Sequence, residues 1–163
     1  MKLSKGKEKY LLEKYFKTKN NKNIPTHLSQ FGHRSSDTTD EDLFFITQYV
    51  SEIDRLSIGE SYVTIYGLEY LKRIKRVEYL DLRGMPLNDN NLDCILHFVD
   101  LEYLDIKSSN VTSIGISKIL ETFSKLETIR IDIPIRDKYY LESWEKKYPN
   151  CDLIINLKPN DYF

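Results

Sequence analysis

The sequence has few of the residues on which enzyme and metal chemistry usually depend. Only three histidines and two cysteines occur in 163 residues, and there is no glycine-rich phosphate loop, HExxH, paired CxxC or GxSxG motif. His27 and His33 lie six residues apart with no Cys or third His at ligand spacing nearby, which favours two surface histidines over a metal pair. His97 lies next to core positions, which is typical of a packing or partly exposed histidine. We therefore expect no catalytic residues, no metal site, no cofactor and no small-molecule substrate.

Long hydrophobic runs are also absent. No apolar stretch approaches the roughly 20 residues that a membrane-spanning helix needs. A hydrophobic fraction of 40%, a charged fraction of 30% and a net charge of -1 are typical of a soluble, globular chain with one sizeable core. Cys94 and Cys151 fall at apolar positions, so we expect buried thiols in a reducing compartment rather than a disulfide.

Positive charge is concentrated in one segment. Residues 1–22 contain eight lysines against Glu8 and Glu13. Two interpretations stay open: a basic arm for an anionic membrane surface, a nucleic acid or an acidic partner, or a solvated helix that caps the fold. The aromatic residues are not interleaved with arginine in a base-stacking array, so we expect no nucleic acid partner. The apolar residues of this segment fit one helical face and are Tyr10, Leu11, Leu12, Tyr15 and Phe16.

What the sequence does contain is an internal repeat, the usual sign of structural units stacked on one another. The octet VEYLDLRG at residues 77–84 returns as LEYLDIKS at residues 101–108, and related segments occur in steps of about 24 residues on either side. Each copy has apolar residues at its first, fourth and sixth positions. A fifth copy retains only Cys151 and Ile154. The four full copies are Ile53/Leu56/Ile58, Val77/Leu80/Leu82, Leu101/Leu104/Ile106 and Leu126/Ile129/Ile131.

The segments between the copies have apolar residues at the three-to-four spacing of a helix. Each unit is therefore predicted to be a short strand followed by a helix, with the strands pairing in parallel and the helices covering the outside. The predicted helical positions are Ile65, Leu68, Leu71 and Ile74 in the first interval; Leu87, Leu92, Ile95, Leu96 and Val99 in the second; Val111, Ile116, Ile119, Leu120 and Phe123 in the third; and Tyr140, Leu141, Trp144 and Tyr148 in the last.

The segment before the repeats is polar and rich in turn-forming residues. We interpret residues 20–42 as an extended connection that leads into a helix capped by Thr39, with Asp42 in its first turn. The predicted organisation is a basic, helical and extended N-terminal segment at residues 1–50, for capping or docking, and a repeat domain at residues 51–163.

This pattern resembles the leucine-rich repeat family over residues 53–156. Four copies at nearly constant spacing carry the resemblance. It implies an α/β fold, a short leucine-rich repeat solenoid of about four to five strand–helix units with a parallel sheet on its concave face.

In such a strand the apolar residues point into the core, and the residues between them point out of the concave face. When the copies are aligned, Tyr79 lies beside Tyr103 and Asp81 lies beside Asp105. We predict a recognition surface in which the tyrosines are anchors and the aspartates accept Arg or Lys from a protein partner. An internally compensated charge lattice and a divalent ion between the two carboxylates are alternatives. The predicted partner-binding residues are Arg55, Tyr79, Asp81, Arg83, Tyr103, Asp105, Lys107 and Arg130.

A narrower resemblance rests on two segments, IDRLSIGESYVTIYGLEYLKRIKRVEYLDL from residue 53 and LNDNNLDCILHFVDLEYLDI from residue 87. They look like the mitochondrial family of ATP synthase subunit s, or coupling factor B, and the related assembly factor for the distal membrane arm of respiratory complex I. This resemblance implies a non-enzymatic accessory subunit or assembly factor on the matrix side of the inner membrane, with protein subunits of a larger complex as partners. A cytosolic leucine-rich repeat adaptor, such as a ubiquitin-ligase substrate receptor, is the alternative.

Overall fold

The computed structural model describes residues 1–159, which form one parallel β-sheet and five α-helices. Each strand is parallel to its neighbour, so every connection must cross from the end of one strand to the start of the next. Because such crossovers are right-handed and join sequential neighbours, the connections lie on one face of the sheet. The repeat therefore predicted the α/β class and the parallel sheet correctly. In chain order, which is also their order in the sheet, the strands are β1 His27–Phe31, β2 Glu52–Ser57, β3 Arg76–Asp81, β4 Tyr103–Asp105, β5 Thr128–Pro134 and β6 Asp152–Lys158.

Short helices connect the strands. The predicted start of one of them is confirmed, because the Thr39 hydroxyl accepts from the backbone N–H of Asp42, and the Asp42 carboxylate accepts from the backbone N–H of Thr39. No helix within residues 1–159 is long and apolar enough to cross a membrane. The α-helices are α1 Lys5–Phe16, α2 Asp40–Ile46, α3 Ile65–Leu68, α4 Ser113–Thr122 and α5 Tyr139–Lys147, and 3₁₀ turns occupy Asn21–Asn23, Glu69–Arg73, Leu92–Cys94 and Ile135–Asp137.

The repeated apolar residues form the core. All twelve residues of the four full copies are buried, and the most accessible of them, Leu126, is only 6% exposed. Both cysteines are free thiols, as expected, although only Cys94 is fully buried and Cys151 is half-buried. Burial raises the pKa of Cys94 to about 12 and that of Cys151 to about 11, so both thiols stay protonated at neutral pH.

The basic N-terminal segment folds back onto the sheet. Leu11 and Leu12 of α1 are buried in the common core, and the Tyr15 ring centroid lies 5.3 Å from that of Phe31 in β1. The Tyr15 hydroxyl also donates to Asp42 at 2.6 Å. α1 therefore covers the apolar surface at the β1 end of the fold, as the capping interpretation expects, while its outward lysines remain exposed.

Three local predictions are corrected. Residues 20–42 are more than an extended connection, because they contain β1, whose Leu28 and Phe31 pair in register with Ile53 and Leu56. His27 and His33 on this segment are exposed, as predicted.

The second interval, residues 87–99, contains a 3₁₀ turn rather than the predicted α-helix. Within it, the Asn91 side chain accepts from the backbone N–H of Asn88 at 2.7 Å, and the Asn88 side chain accepts from the backbone N–H of Asn90 at 2.9 Å. Asparagine side chains that bond to nearby backbone in this way compete with helix formation. Val99, predicted to face the core, is 62% exposed.

The fifth copy is shifted by one residue from its predicted register. Ile129 and Ile131 pair with Leu153 and Ile155, so Ile154 lies beside Arg130 and points to the opposite face. A shift of one residue exchanges the two faces of a strand. The inward residues of β6 are therefore Leu153 and Ile155 rather than Ile154, and Cys151, which lies just before the strand, also packs against the core.

Candidate interaction surface

The outward residues of neighbouring strands lie side by side in the register that the repeat predicts. Arg55 pairs with Tyr79, Tyr79 with Tyr103, and Tyr103 with Thr128. We name these four residues the tyrosine row. Two residues further along each strand, the aspartate row consists of Ser57, Asp81, Asp105 and Arg130.

The tyrosine row forms a stack across the sheet. Neighbouring strands are about 4.8 Å apart, and the rings of Tyr79 and Tyr103 accordingly stack with centroids 4.1 Å apart and planes 3° from parallel. The Arg55 guanidinium carbon lies 3.9 Å from the centroid of Tyr79, on the side away from Tyr103 because β2 and β4 flank β3. Burial, with a hydrogen bond between the two hydroxyls, raises the pKa of Tyr103 to about 12, so its ring is a neutral phenol at physiological pH.

An acidic residue precedes each member of the tyrosine row. At the β2–β3 end the carboxylates are paired: Asp54 lies 2.8 Å from His27 Nε2 and 3.1 Å from Arg76, which also binds Glu78. The hydrogen bond from His27 is the main cause of the lowered pKa of Asp54, and Arg76 adds to it. We name the four acidic residues that precede the members of the tyrosine row the acidic edge: Asp54, Glu78, Glu102 and Glu127.

The β4–β5 end of the acidic edge differs. Glu102 and Glu127 are exposed, and neither carboxylate has an ion pair or a side-chain hydrogen bond with another residue of the range 1–159. Together with Ser29, the tyrosine row and the acidic edge line an open depression of about 430 Å³ on the sheet face.

The aspartate row is buried and is held by an arginine from outside the repeats. Asp81 and Asp105 are only 3% and 0% exposed, and Arg34, in the loop between β1 and α2, places Nη2 2.8 Å from Oδ2 of each of them. Its Nε also donates to Asp81 at 3.0 Å. Burial by itself lowers the pKa of Arg34, but the two carboxylates more than offset this and raise it, so the guanidinium is permanently charged.

The remaining bonds of these aspartates are also internal. The backbone N–H groups of Arg83 and Lys107 donate to Asp81 and Asp105, each at 3.1 Å. Gly59 permits this packing, because a Cβ at that position would lie 2.7 Å from Asp81 Oδ1.

A third buried carboxylate extends the same arrangement towards the last strand. Asp132 is 6% exposed and binds Lys158 Nζ at 2.6 Å, Asn156 at 2.9 Å and the backbone N–H of Ser108 at 2.6 Å. Burial by itself raises the pKa of Asp132, but these three donors lower it below its ordinary value.

The structure brings the predicted site residues onto one sheet face but divides their roles. The prediction that Asp81 and Asp105 accept Arg or Lys from a partner is wrong, because Arg34 of the same chain occupies that position. The Arg34 guanidinium also occupies the position between the two carboxylates that a divalent ion would need. No group of three potential metal-ligating side chains is found in residues 1–159. The charge lattice is therefore compensated internally, although chiefly by Arg34 rather than by Arg83 or Lys107.

The basic residues that flank the aspartates make separate contacts. Arg83 pairs with Glu60 at 3.2 Å, and Arg130 Nε lies 3.6 Å from Asp105. Lys107 is half-buried and contributes its backbone N–H rather than its ammonium group.

Sequence reasoning missed Arg34, Glu102 and Glu127. Glu102 and Glu127 carry a signal in the repeat itself, since an acid follows the first apolar residue of every full copy. Arg34 lies 47 and 71 residues from its two partners, and the only hint was that two adjacent carboxylates required a cation.

Comparison with known proteins does not assign a family. The sequence matches none of the protein-family models against which it was scanned, and no curated protein is significantly similar to it.

Proposed function

We propose that this chain is a non-enzymatic protein-binding module of the leucine-rich repeat type, which engages its partner through the tyrosine row. The observation that carries the proposal is the stacked and solvent-accessible pair Tyr79 and Tyr103 in an acid-lined depression on a regular parallel sheet. Tyrosines present a large, rigid contact area at a low cost in conformational entropy and are enriched among the residues that dominate binding energy. The 24-residue spacing of the repeats supports the leucine-rich repeat assignment.

The proposed setting is the mitochondrial inner membrane, where the chain acts as an accessory subunit or assembly factor of ATP synthase or complex I. The resemblance of the segment from about residue 53 to about residue 149 to that mitochondrial family supports this setting. Lys5 and Lys9, the exposed lysines of α1, provide a second proposed contact, with an anionic membrane surface.

The test is native gel separation of gently solubilised mitochondria and cytosol, with mass spectrometry of the proteins that migrate with this chain. We expect co-migration with a large respiratory assembly. The double variant Tyr79→Ala, Tyr103→Ala should dissociate from it, because tyrosine is enriched among the few hot-spot residues of an interface, whose truncation costs about 2 kcal/mol or more each. The matched control is Tyr62→Ala, Tyr66→Ala, which removes two tyrosines that are 74% and 77% exposed outside the sheet face and should retain the partners.

Two results would contradict the proposal. Recovery of the chain only as a free cytosolic monomer, or with ligase subunits, would overturn the mitochondrial setting. Retention of all partners by the Tyr79→Ala, Tyr103→Ala variant would overturn the tyrosine row as the binding surface.

A further inference from the structure

We propose that the Tyr103 end of the depression binds an arginine side chain of an extended, basic protein segment. This inference rests on the proposed protein-binding function and specifies the chemistry of the partner. The guanidinium would stack on the Tyr103 ring above Thr128 and pair with Glu102 and Glu127.

The first argument is the way in which the stack ends. Arg55 covers one face of Tyr79 and Tyr103 covers the other. The next member of the row, on β5, is Thr128, whose short side chain is too small to cover the neighbouring ring. Within residues 1–159 no second ring and no cation stacks on the β5 side of Tyr103, so this face of the ring is open to a planar group.

The second argument is charge. Glu102 and Glu127 lie one residue before Tyr103 and Thr128, and their strands are joined there by a hydrogen bond of 3.1 Å from the Thr128 N–H to the Glu102 carbonyl. Both carboxylates are exposed, and neither forms an ion pair within residues 1–159. Lys125, which interacts electrostatically with Glu102, is itself paired with Asp100 at 2.5 Å. A cation placed over Thr128 would therefore have an aromatic face on one side and carboxylates at its edge.

The third argument is that the molecule already contains this arrangement two strands away. At the β2–β3 end, Arg55 stacks on Tyr79, and Arg76 binds both Asp54 and Glu78. The equivalent residues at the β4–β5 end supply the ring and the carboxylates. Arg130 of β5 hydrogen-bonds to the Tyr103 side chain, but within residues 1–159 no guanidinium stacks on the Tyr103 ring. The chain thus satisfies one end of the depression with its own guanidinium groups and leaves the other end to a partner.

Arginine fits this end better than other groups. A guanidinium is planar, stacks on aromatic faces and binds carboxylates with two parallel hydrogen bonds, whereas a lysine ammonium is a compact, strongly hydrated point charge. The exposed carboxylates of Glu102 and Glu127 repel phosphate, which argues against a nucleic acid or a phosphorylated segment at this end of the depression.

The surroundings indicate an extended segment rather than a free amino acid. A second open depression of about 520 Å³ adjoins the first, and Glu102 and Glu127 line both of them. A peptide backbone laid along the two depressions would pass the Tyr103 ring while remaining beside carboxylates. The remaining wall of the second depression includes Ser124, Lys125, Leu126 and Asn150.

The experiment is a nuclear magnetic resonance titration of the full chain with three capped heptapeptides. All have the sequence Gly-Ser-Gly-X-Gly-Ser-Gly, and X is arginine, lysine or citrulline, the neutral isostere of arginine. We expect the arginine peptide to shift the amide resonances of Glu102, Tyr103, Glu127 and Thr128, and to bind at least about threefold more tightly than the lysine peptide and about tenfold more tightly than the citrulline peptide.

The matched variants separate a specific site from general attraction. Glu102→Gln, Glu127→Gln should raise the Kd of the arginine peptide about tenfold, because it removes both carboxylates. Glu142→Gln, Glu145→Gln removes the same charge from two exposed positions of α5 and should leave the Kd within about twofold. Equal Kd values for the arginine and citrulline peptides, equal effects of the two double variants, or shifts centred elsewhere would overturn the inference.

This result is independent of the test of the proposed function. If the arginine peptide does not bind at Tyr103 but the Tyr79→Ala, Tyr103→Ala variant still loses its partner, the arginine site is wrong and the binding surface stands. If the peptide binds as expected but that variant keeps its partner, the arginine site stands and the proposed function is wrong.

Discussion

The aspartate row and the tyrosine row occupy the same strands, two residues apart, yet one is closed and the other is open. Asp81 and Asp105 are buried under Arg34, and every bond that they make is internal. Tyr103, in contrast, presents towards β5 a ring face on which no ring or cation of residues 1–159 stacks. The repeat pattern places both rows on the exposed face of the sheet. The burial of one row and the accessibility of the other therefore depend on residues outside the repeat.

This difference shows how one sheet face can serve both stability and binding. A buried carboxylate requires a counter-charge and hydrogen bonds, because an unpaired ion in the interior costs several kcal/mol. Such a group is therefore committed to its internal partners. Neutral rings and exposed carboxylates can remain unpaired in water at little cost in free energy, so they stay available to bind a partner.

The largest expected effect comes from breaking the closed row. Arg34→Met should lower the free energy of unfolding by about 3–5 kcal/mol, because it leaves two adjacent buried carboxylates without their cation. Urea unfolding followed by circular dichroism measures this loss. The control is Arg83→Met, at an ion pair whose side chains are 36% and 41% exposed, for which we expect about 1 kcal/mol or less. Equal losses in the two variants would show that Arg34 does not hold the aspartate row.

A smaller effect is expected at Asp132, a further buried carboxylate on the sheet. The lowered pKa of Asp132 means that the folded state holds the ionised form more strongly than the unfolded state does. The resulting stability is fully present above the unfolded-state pKa of about 4 and is lost as the pH falls through the lower folded-state value. Asp132→Asn should therefore cost about 1–3 kcal/mol at pH 7 and should reduce the acid sensitivity of the unfolding free energy.

Urea unfolding between pH 7 and pH 2.5 measures both quantities. Asp152→Asn, at an exposed position of β6, is the control and should leave the pH profile unchanged. If the Asp132→Asn profile ran parallel to the wild-type profile, the pairing of Asp132 with Lys158 and Asn156 would contribute no pH-dependent stability.

The smallest effect is expected in the open row, where Arg55 stacks on Tyr79. Arg55→Ala should cost only about 0.5–1 kcal/mol, as for other exposed contacts between a cation and a ring. A double-mutant cycle with Tyr79→Leu isolates the contact, and thermal unfolding of the four proteins provides the measurement. A coupling energy indistinguishable from zero would mean that the stack at the β2–β3 end is not an energetic model for arginine binding at the β4–β5 end.

The sequence predicted the parallel sheet because the core positions obey a simple rule. In every full copy the first, fourth and sixth residues are apolar, and Ile53, Leu80 and Ile129 are buried as that rule requires. It also predicted that Tyr79 and Tyr103 lie side by side, since a step of 24 residues places identical side chains on adjacent strands; that their rings stack is an observation of the structure. Both predictions depend only on period and on the alternation of strand faces.

Other elements escaped prediction for physical reasons. β1 has only Leu28 and Phe31 to pair with the core, too few apolar residues to stand out within a polar segment. The apolar residues of the interval 87–99 have helical spacing, but its asparagines bond to the backbone and favour turns. The register of β6 depended on pairing with β5, which local apolar spacing does not report.

The sequence by itself determined the α/β class, the parallel order of the repeated strands and which residues face away from the core, because these follow from local periodicity. Only the tertiary structure decided which outward residues remain available. Arg34 reaches across from the loop after β1 to neutralise Asp81 and Asp105. Among residues 1–159, by contrast, no cation stacks on the Tyr103 ring and none forms an ion pair with Glu102 or Glu127. Pairing across 47 and 71 residues depends on how the chain folds in space, and no local pattern encodes it.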